Sequence, residues 1–387
     1  MKNFEFYNPT KIYFGQGEVE KIGQLVKEYG RNVLLVYGKQ SIKKSGLYDQ
    51  VITLLKNEDL TIFELSGIDP NPRIDSVREG GNMCKEHNID FILAVGGGSV
   101  IDASKGISVA AKYDGDPWDF YSYKVQAKSG LPFGTILTLS ATGSEMNKGS
   151  VITNLETKEK NGWSAPFTYP RFSILDPTLT YTVNAHQTAC GIVDSLTHIY
   201  EFYFSKEKAY LNDRIVEGIM KTIIHFGPIA MKNPTDYEAR ANLMFSSTLA
   251  LNGLSGFAKT FDGFLHKTEH VISAHYDIAH ADGLSILTPH WMNYMLNQDT
   301  VDRFFQFAVN VFDLYPSKDR MKVAKKGIEK VTELYKSLGM PIYFDNVGIT
   351  NPNIEQLASE SVKGETLGHF SNLMKQDVIE ILKKATR

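Results

Sequence analysis

The chain predicts an α/β protein in which a parallel-sheet domain, residues 1–185, precedes an all-helical domain, residues 186–387. Three observations carry this. Short apolar, β-branched runs alternate with amphipathic stretches over the first half. After Asp176-Pro177 the apolar residues recur at three and four instead. The 387 residues also exceed what one core usually holds.

The elements follow in order. A buried strand is expected at 33–37 (VLLVY), closed by Gly38, and Leu47, Val51, Leu54 and Leu55 set a helix over 47–56. A second strand falls at 61–65, and a helix at 73–87 follows Pro70 and Pro72. The run 90–95 (DFILAV) is a third strand leading straight into Gly96-Gly97-Gly98, with the next helix at 99–112. Further strands are expected at 135–139 and 172–175. Such alternation means a parallel sheet covered on both faces, whose ligands sit beyond the carboxyl ends of the strands. Gly38, 96–99 and 138–144 should converge there. In the second half, helices are expected at 189–204, 215–231, 237–252, 261–275 and 320–338, and the next strand-like run is 341–344. An α/β domain followed by a helical one implies a cleft between them.

Composition excludes several classes. Lys and Arg number 41 against 44 Asp and Glu, a net charge of −3, and are spread along the chain, which argues against nucleic acid as a partner. The two cysteines, Cys84 and Cys190, make no disulfide framework and no Cys-rich zinc module. The first residues lack the apolar run of a signal peptide, and no stretch approaches the ~20 apolar residues of a membrane span. No membrane partner and a cytoplasmic location are expected.

Gly96-Gly97-Gly98-Ser99 joins a buried strand to a helix, so backbone can approach a ligand closely and a helix N-terminus can receive a phosphate. Ser99 with Asp102 three residues on fits a capping box. The loop is not a G-x-G-x-x-G fingerprint and follows the third strand, not the first. The polar loop 138–144 (TLSATGS) follows another strand; its hydroxyls suit phosphate or ribose, or the turn's own backbone.

Histidines cluster in the helical half. His266, His270, His275 and His280 fall within fifteen residues, with His266 and His270 one turn apart. The helix that carries them is expected to break at Asp282-Gly283. Upstream, Asp194 and His198 are also one turn apart. Imidazoles with a carboxylate suit a divalent first-row metal, Fe²⁺ or Zn²⁺, over Mg²⁺ or Ca²⁺.

With these residues in view, the whole chain resembles the iron-containing (group III) alcohol dehydrogenases, above all their NADPH-dependent butanol dehydrogenase and aldehyde reductase branch. The resemblance rests on FxNPTKIxFGxG at the start, YGxxSIKKSGLYDQV after the first strand, DPNPR at 69–73, GGGSVIDASKG, TLSATGSEMN, LDPTLTYT, TACGIVDSLTH and HKTEHxxSAxYDIAH. It implies an N-terminal dinucleotide-binding domain, a helical metal-binding domain, and interconversion of short- to medium-chain primary alcohols and aldehydes by hydride transfer. Metal ligation is carried onto Asp194, His198, His266 and His280, and His270 onto a substrate-side, proton-relaying role. Cofactor contacts fall on Gly38, Asn71, Gly97, Gly98, Ser99, Asp102, Thr138, Thr142, Lys160 and the 179–183 stretch, with Leu179 and Val183 at its ends. The resemblance also implies a homodimer whose N-terminal strands pair, for which Phe4, Phe6, Ile12 and Phe14 are suited. The rival readings are a metal- and NAD-dependent lyase of the dehydroquinate synthase type and a non-catalytic metal- or nucleotide-binding protein.

Two departures from the branch's pattern matter. Lys39-Gln40 stands where Gly-Gly is usual, and Ala281-Asp282 follows His280 where His-Gly is usual; the Asp282 carboxylate is expected to point to solvent. Segment 37–44 contains no acid to hold a ribose 2′-hydroxyl or repel a 2′-phosphate, and offers Lys39, Ser41, Lys43 and Lys44. NADP(H) is therefore expected to be preferred over NAD(H), with Lys39 on the phosphate.

Overall fold

The computed structural model describes residues 1–364, 366–370 and 372–387. Six strands form one parallel sheet: β1 (Lys11–Phe14), β2 (Asn32–Tyr37), β3 (Thr61–Leu65), β4 (Phe91–Gly96), β5 (Phe133–Leu137) and β8 (Phe172–Leu175), in the order β1-β8-β5-β4-β2-β3. The helices beside them are α1 (Ile22–Lys27), α2 (Ser41–Lys44), α3 (Leu47–Lys56), α4 (Ile74–Glu86), α5 (Gly98–Ala110) and α6 (Trp118–Tyr121). Register is direct, with Val33 opposite Phe91 and Ile92 opposite Phe133. Neighbouring residues of one strand serve opposite cores: Leu34, Val36, Ile92 and Ala94 pack on one face, Val33, Leu35, Phe91 and Leu93 on the other. That double burial is why these strands read as unbroken apolar runs.

Two local expectations need correction. The strand expected at 135–139 lies at Phe133–Leu137: the Thr138 N–H makes the last ladder bond, to the Gly96 carbonyl at 3.0 Å, and its partner strand β4 ends at that glycine. An antiparallel hairpin, β6 (Gly149–Asn154) and β7 (Glu159–Ser164), was not expected; its polar sequence hides the two-residue period.

The second half is helical among the described residues: α7 (Ala185–Tyr203), α8 (Tyr210–Lys232), α9 (Tyr237–Ala250), α10 (Phe264–Tyr276), α11 (His280–Met295), α12 (Val301–Phe312), α13 (Arg320–Ser337), α14 (Ile354–Val362) and α15 (Lys375–Lys384). The run 341–344 makes no strand; a 3₁₀ turn, Phe344–Val347, begins there. An aromatic centre holds several of these helices, with Phe204 stacked on Phe304 at 4.5 Å and edge-on to Trp291 at 5.7 Å.

Two compact units result: Met1–Phe6 with Asn184–Asn233 and Leu249–Arg387, and Tyr7–Val183 with Pro234–Thr248. Two segments thus group away from their sequence neighbours. Phe4 packs its ring 5.2 Å from Phe257 of the helical unit. Met244 of α9 enters the core of the sheet unit, and Thr248 donates to the buried Glu145 carboxylate at 2.5 Å.

Candidate metal centre and nucleotide-binding edge

The metal-type donors lie within the helical unit. Asn184 caps α7 by accepting from the Gln187 N–H at 2.8 Å, which starts the helix that carries Asp194 and His198 on one face. α10 begins after Gly263 in the left-handed region and ends at Asp277, also left-handed (φ 48°), so the helix breaks at 277–279 and not at Asp282-Gly283 as expected. That earlier break places His280 at the start of α11, turned back toward His266.

The four donors converge on one point. Asp194 Oδ1 lies 3.6 Å from His198 Nε2, 3.7 Å from His266 Nε2 and 3.7 Å from His280 Nε2. The His198 and His266 rings are stacked at 4.5 Å. Asp194 Oδ1 and His266 Nε2 are buried without a hydrogen-bond partner among the described residues, a costly arrangement unless a cation satisfies both. The donor set, three imidazole nitrogens and one carboxylate oxygen, fits Fe²⁺ or Zn²⁺.

Two carboxylates missed by sequence reasoning complete the centre. Glu201 accepts from the Leu265 N–H at 2.7 Å, and its other oxygen hydrogen-bonds His266 Nδ1; Glu269 does the same for His280 Nδ1. Both are fully buried. Each fixes its histidine with Nδ1 as the proton-bearing atom and Nε2 as the free lone pair. The available signal was position, since Glu201 continues the Asp194–His198 face one turn on and Glu269 sits inside the histidine motif. Burial alone would raise the Asp194 carboxyl and lower His266, but the facing charges win. The imidazoles hold Asp194 well below the carboxylate range, and Glu201 with Asp194 drives His266 up to about 10. Burial wins only at His198, pushed down to about 3.

His270 stands beside this set, its ring 5.6 Å from that of His280 and 6.5 Å from that of His266. His275 faces away, paired with Glu360 at 2.7 Å. Asp282 does not point to solvent as expected: it is 9% exposed and lies 3.5 Å from His186.

The nucleotide candidates all lie in the sheet unit, most of them just beyond the carboxyl ends of its strands. Gly38 follows β2, Gly97 and Gly98 follow β4, Thr138 and Thr142 follow β5, and Leu179 and Val183 follow β8. β2 and β4 are neighbours from which the chain runs to opposite sides, the position where open parallel sheets form a crevice. A Cβ on Gly98 would lie 2.4 Å from Thr142 Oγ1, so glycine is what lets the two loops meet. Lys160 reaches from β7 to within 3.3 Å of Asn71, uniting two candidates distant in sequence.

Ser99 and Asp102 form no capping box. Ser99 Oγ donates to the Pro70 carbonyl, and Asp102 accepts from Ser144 Oγ and, at 2.9 Å, from the Val151 N–H. α5 therefore starts at Gly98 with no side chain capping its first amides. Of the basic set, Lys39 pairs with Asp69 at 2.8 Å, and Lys43 lies over the Tyr48 ring at 4.7 Å; Ser41 opens α2 and is exposed.

Comparison with known proteins agrees along nearly the whole chain. The family model for iron-containing alcohol dehydrogenase matches residues 9–177, and the model for the C-terminal part of that family matches 188–386. The probable NADH-dependent butanol dehydrogenase 1 of Bacillus subtilis is 48% identical over 99% of both chains. The NADPH-dependent aldehyde reductase YqhD of Escherichia coli is 36% identical over 92% of both. The solved structure of NADH-dependent butanol dehydrogenase A from Thermotoga maritima, 40% identical, matches with a TM-score of 0.96 over 100% of this chain and 99% of that one. Matched in sequence and in fold from end to end, the chain belongs to the iron-containing alcohol dehydrogenase family.

Proposed function

We propose that the protein interconverts short- to medium-chain primary alcohols and aldehydes with a nicotinamide dinucleotide, using one divalent metal held by Asp194, His198, His266 and His280. The observation that carries this is the approach of three imidazole Nε2 atoms to one orphaned Asp194 oxygen within a family of alcohol dehydrogenases. When bound, Fe²⁺ or Zn²⁺ supplies Lewis-acid polarisation of the substrate oxygen, and the nicotinamide supplies hydride chemistry. The chain's own residues do the rest. Glu201 and Glu269 orient His266 and His280, and Asp194 contributes the balancing negative charge. His270, outside the four-donor set and next to it, holds or passes the proton that the alcohol oxygen loses or gains. Gly97, Gly98 and Ser99 at the start of α5 receive the dinucleotide phosphates, with Asp102 holding that turn through Ser144 and Val151.

The finer parts of the reading are cofactor choice, assembly and location. NADP(H) preferred over NAD(H) is supported by the acid-free segment 37–44 and by the exposed Lys39 within it. The Bacillus and Thermotoga relatives are named NADH-dependent, and Asp69 beside Lys39 is the acid that would carry that preference here. Lys39→Asp therefore shifts kcat/KM toward NADH, and Asp69→Asn shifts it toward NADPH. A homodimer in the cytoplasm completes the proposal, supported by the exposed apolar side chains of Phe4, Phe6 and Phe14. No helix among the described residues is long and apolar enough to cross a membrane.

The test is steady-state turnover of butanal with each dinucleotide, with and without added Fe²⁺ or Zn²⁺. Metal-dependent, stoichiometric NAD(P)H consumption is expected. No consumption with any simple aldehyde refutes the activity, and a strong wild-type preference for NADH refutes the cofactor choice.

A further inference from the structure

The donor ladder on α7 begins before Asp194. His186, Cys190, Asp194 and His198 succeed one another at i,i+4 along one face, about 6 Å per step. The first two face Asp282 in the opening turn of α11. His186 Nε2 is 3.5 Å from Asp282 Oδ2 and 3.6 Å from Cys190 Sγ, and one donor atom from each residue lies within 4.8 Å of the other two. None of the three belongs to the four-donor centre.

We propose that His186 Nε2, Cys190 Sγ and Asp282 form a second divalent-cation site, suited to Zn²⁺, with its fourth position open to solvent. The spacing is that of a preformed tetrahedral face: metal–sulfur near 2.3 Å and metal–nitrogen near 2.0 Å place sulfur and nitrogen about 3.5 Å apart, and nitrogen and oxygen about 3.4 Å. Thiolate with imidazole selects a borderline-soft ion and disfavours Mg²⁺ or Ca²⁺. The carboxylate independently asks for a ligand. Asp282 is nine-tenths buried, yet its Oδ1 has no hydrogen-bond partner among the described residues. An ion pair with His186 satisfies Oδ2 alone. Access is present as well, because His186 and Asp282 line a cavity of about 440 Å³ together with Lys336, Met340 and Arg387.

Protein holding one equivalent of Zn²⁺ is titrated with Co²⁺, whose thiolate bond gives a near-ultraviolet charge-transfer band that the sulfur-free first centre cannot give. A second equivalent with that band is expected. Cys190→Ser should abolish the band, and Asp282→Asn should weaken the second equivalent about ten-fold or more, both keeping the first. Cys84→Ser should change neither, since Cys84 is buried in the sheet unit. Asp194→Asn should remove the first equivalent and keep the band, which separates this site from the proposed catalytic metal. One equivalent with no band overturns the proposal, as does a second equivalent unaltered in Cys190→Ser, or a band lost in Asp194→Asn.

Discussion

A carboxylate behind an imidazole decides which nitrogen is offered to a metal, and Glu201 and Glu269 do this while fully buried. Glu201→Gln keeps the shape and removes the charge. It should lower metal affinity by roughly 10- to 100-fold, read by competition with a chelator, and unchanged affinity would discard the role. His270 makes the opposite prediction. His270→Ala should retain metal and lower kcat by about 100- to 10,000-fold. If that variant loses metal while His266→Ala retains it, the two roles are exchanged. At this scale the Asp194–His198 pair and the histidine cluster were legible because i,i+4 spacing is local, whereas the choice of His266 and His280 over His270 as ligands came from the family resemblance. Their orienting partners were not, because Glu201 and His266 are brought together only by the packing of α7 against α10.

At the scale of elements, α5 joins the nucleotide edge to the hairpin β6–β7. Lys105 is wholly buried there and donates to Ser144 Oγ at 2.7 Å, Asn147 Oδ1 at 3.0 Å and the Gly149 carbonyl at 2.6 Å. Burial pulls its ammonium from 10.5 down to about 8. The unfolded chain then binds this proton more tightly than the folded one, so stability rises with pH through the window from about 8 to 10.5. At about 1.4 kcal/mol per pH unit, wild type should gain about 3 kcal/mol relative to Lys105→Met across that window. Denaturant titrations of both proteins at its two ends measure this, and parallel curves would contradict it. Gly98→Ala tests the other end of α5. Its Cβ collides with Thr142 and should cost about 1–3 kcal/mol, with weaker dinucleotide binding by calorimetry. Thr142→Gly in the same chain should recover part of both losses. The glycines were legible as a loop, but the capping box was not formed because the hairpin, invisible in the two-residue period, claims Asp102.

For the whole molecule, the metal donors all belong to one compact unit and the nucleotide candidates to the other. Metal binding should therefore act first on the helical unit. A cation at a free concentration a thousand times its Kd adds about 4 kcal/mol, visible in scanning calorimetry as a transition raised by several degrees. Asp194→Asn should cut that increment to what the proposed His186–Cys190–Asp282 site supplies, lose it altogether when combined with Cys190→Ser, and leave dinucleotide stabilisation in place. Equal stabilisation of the variant by metal would show that the cation binds elsewhere.

The alternation of parallel strands and helices in the first half, the hairpin β6–β7 apart, the glycine turn after β4 and the carboxylate and histidine one turn apart were determined by the sequence alone. Each is written in a local period or a local turn, and near neighbours along the chain stay near neighbours in space. Tertiary structure decided what faces them. It buried Asp282 against His186, set Glu201 and Glu269 behind two histidines, sent Met1–Phe6 to the helical unit and drew 234–248 into the sheet unit. Periodicity names the face of a helix that is buried, and only the packing of distant segments supplies the partner for that face.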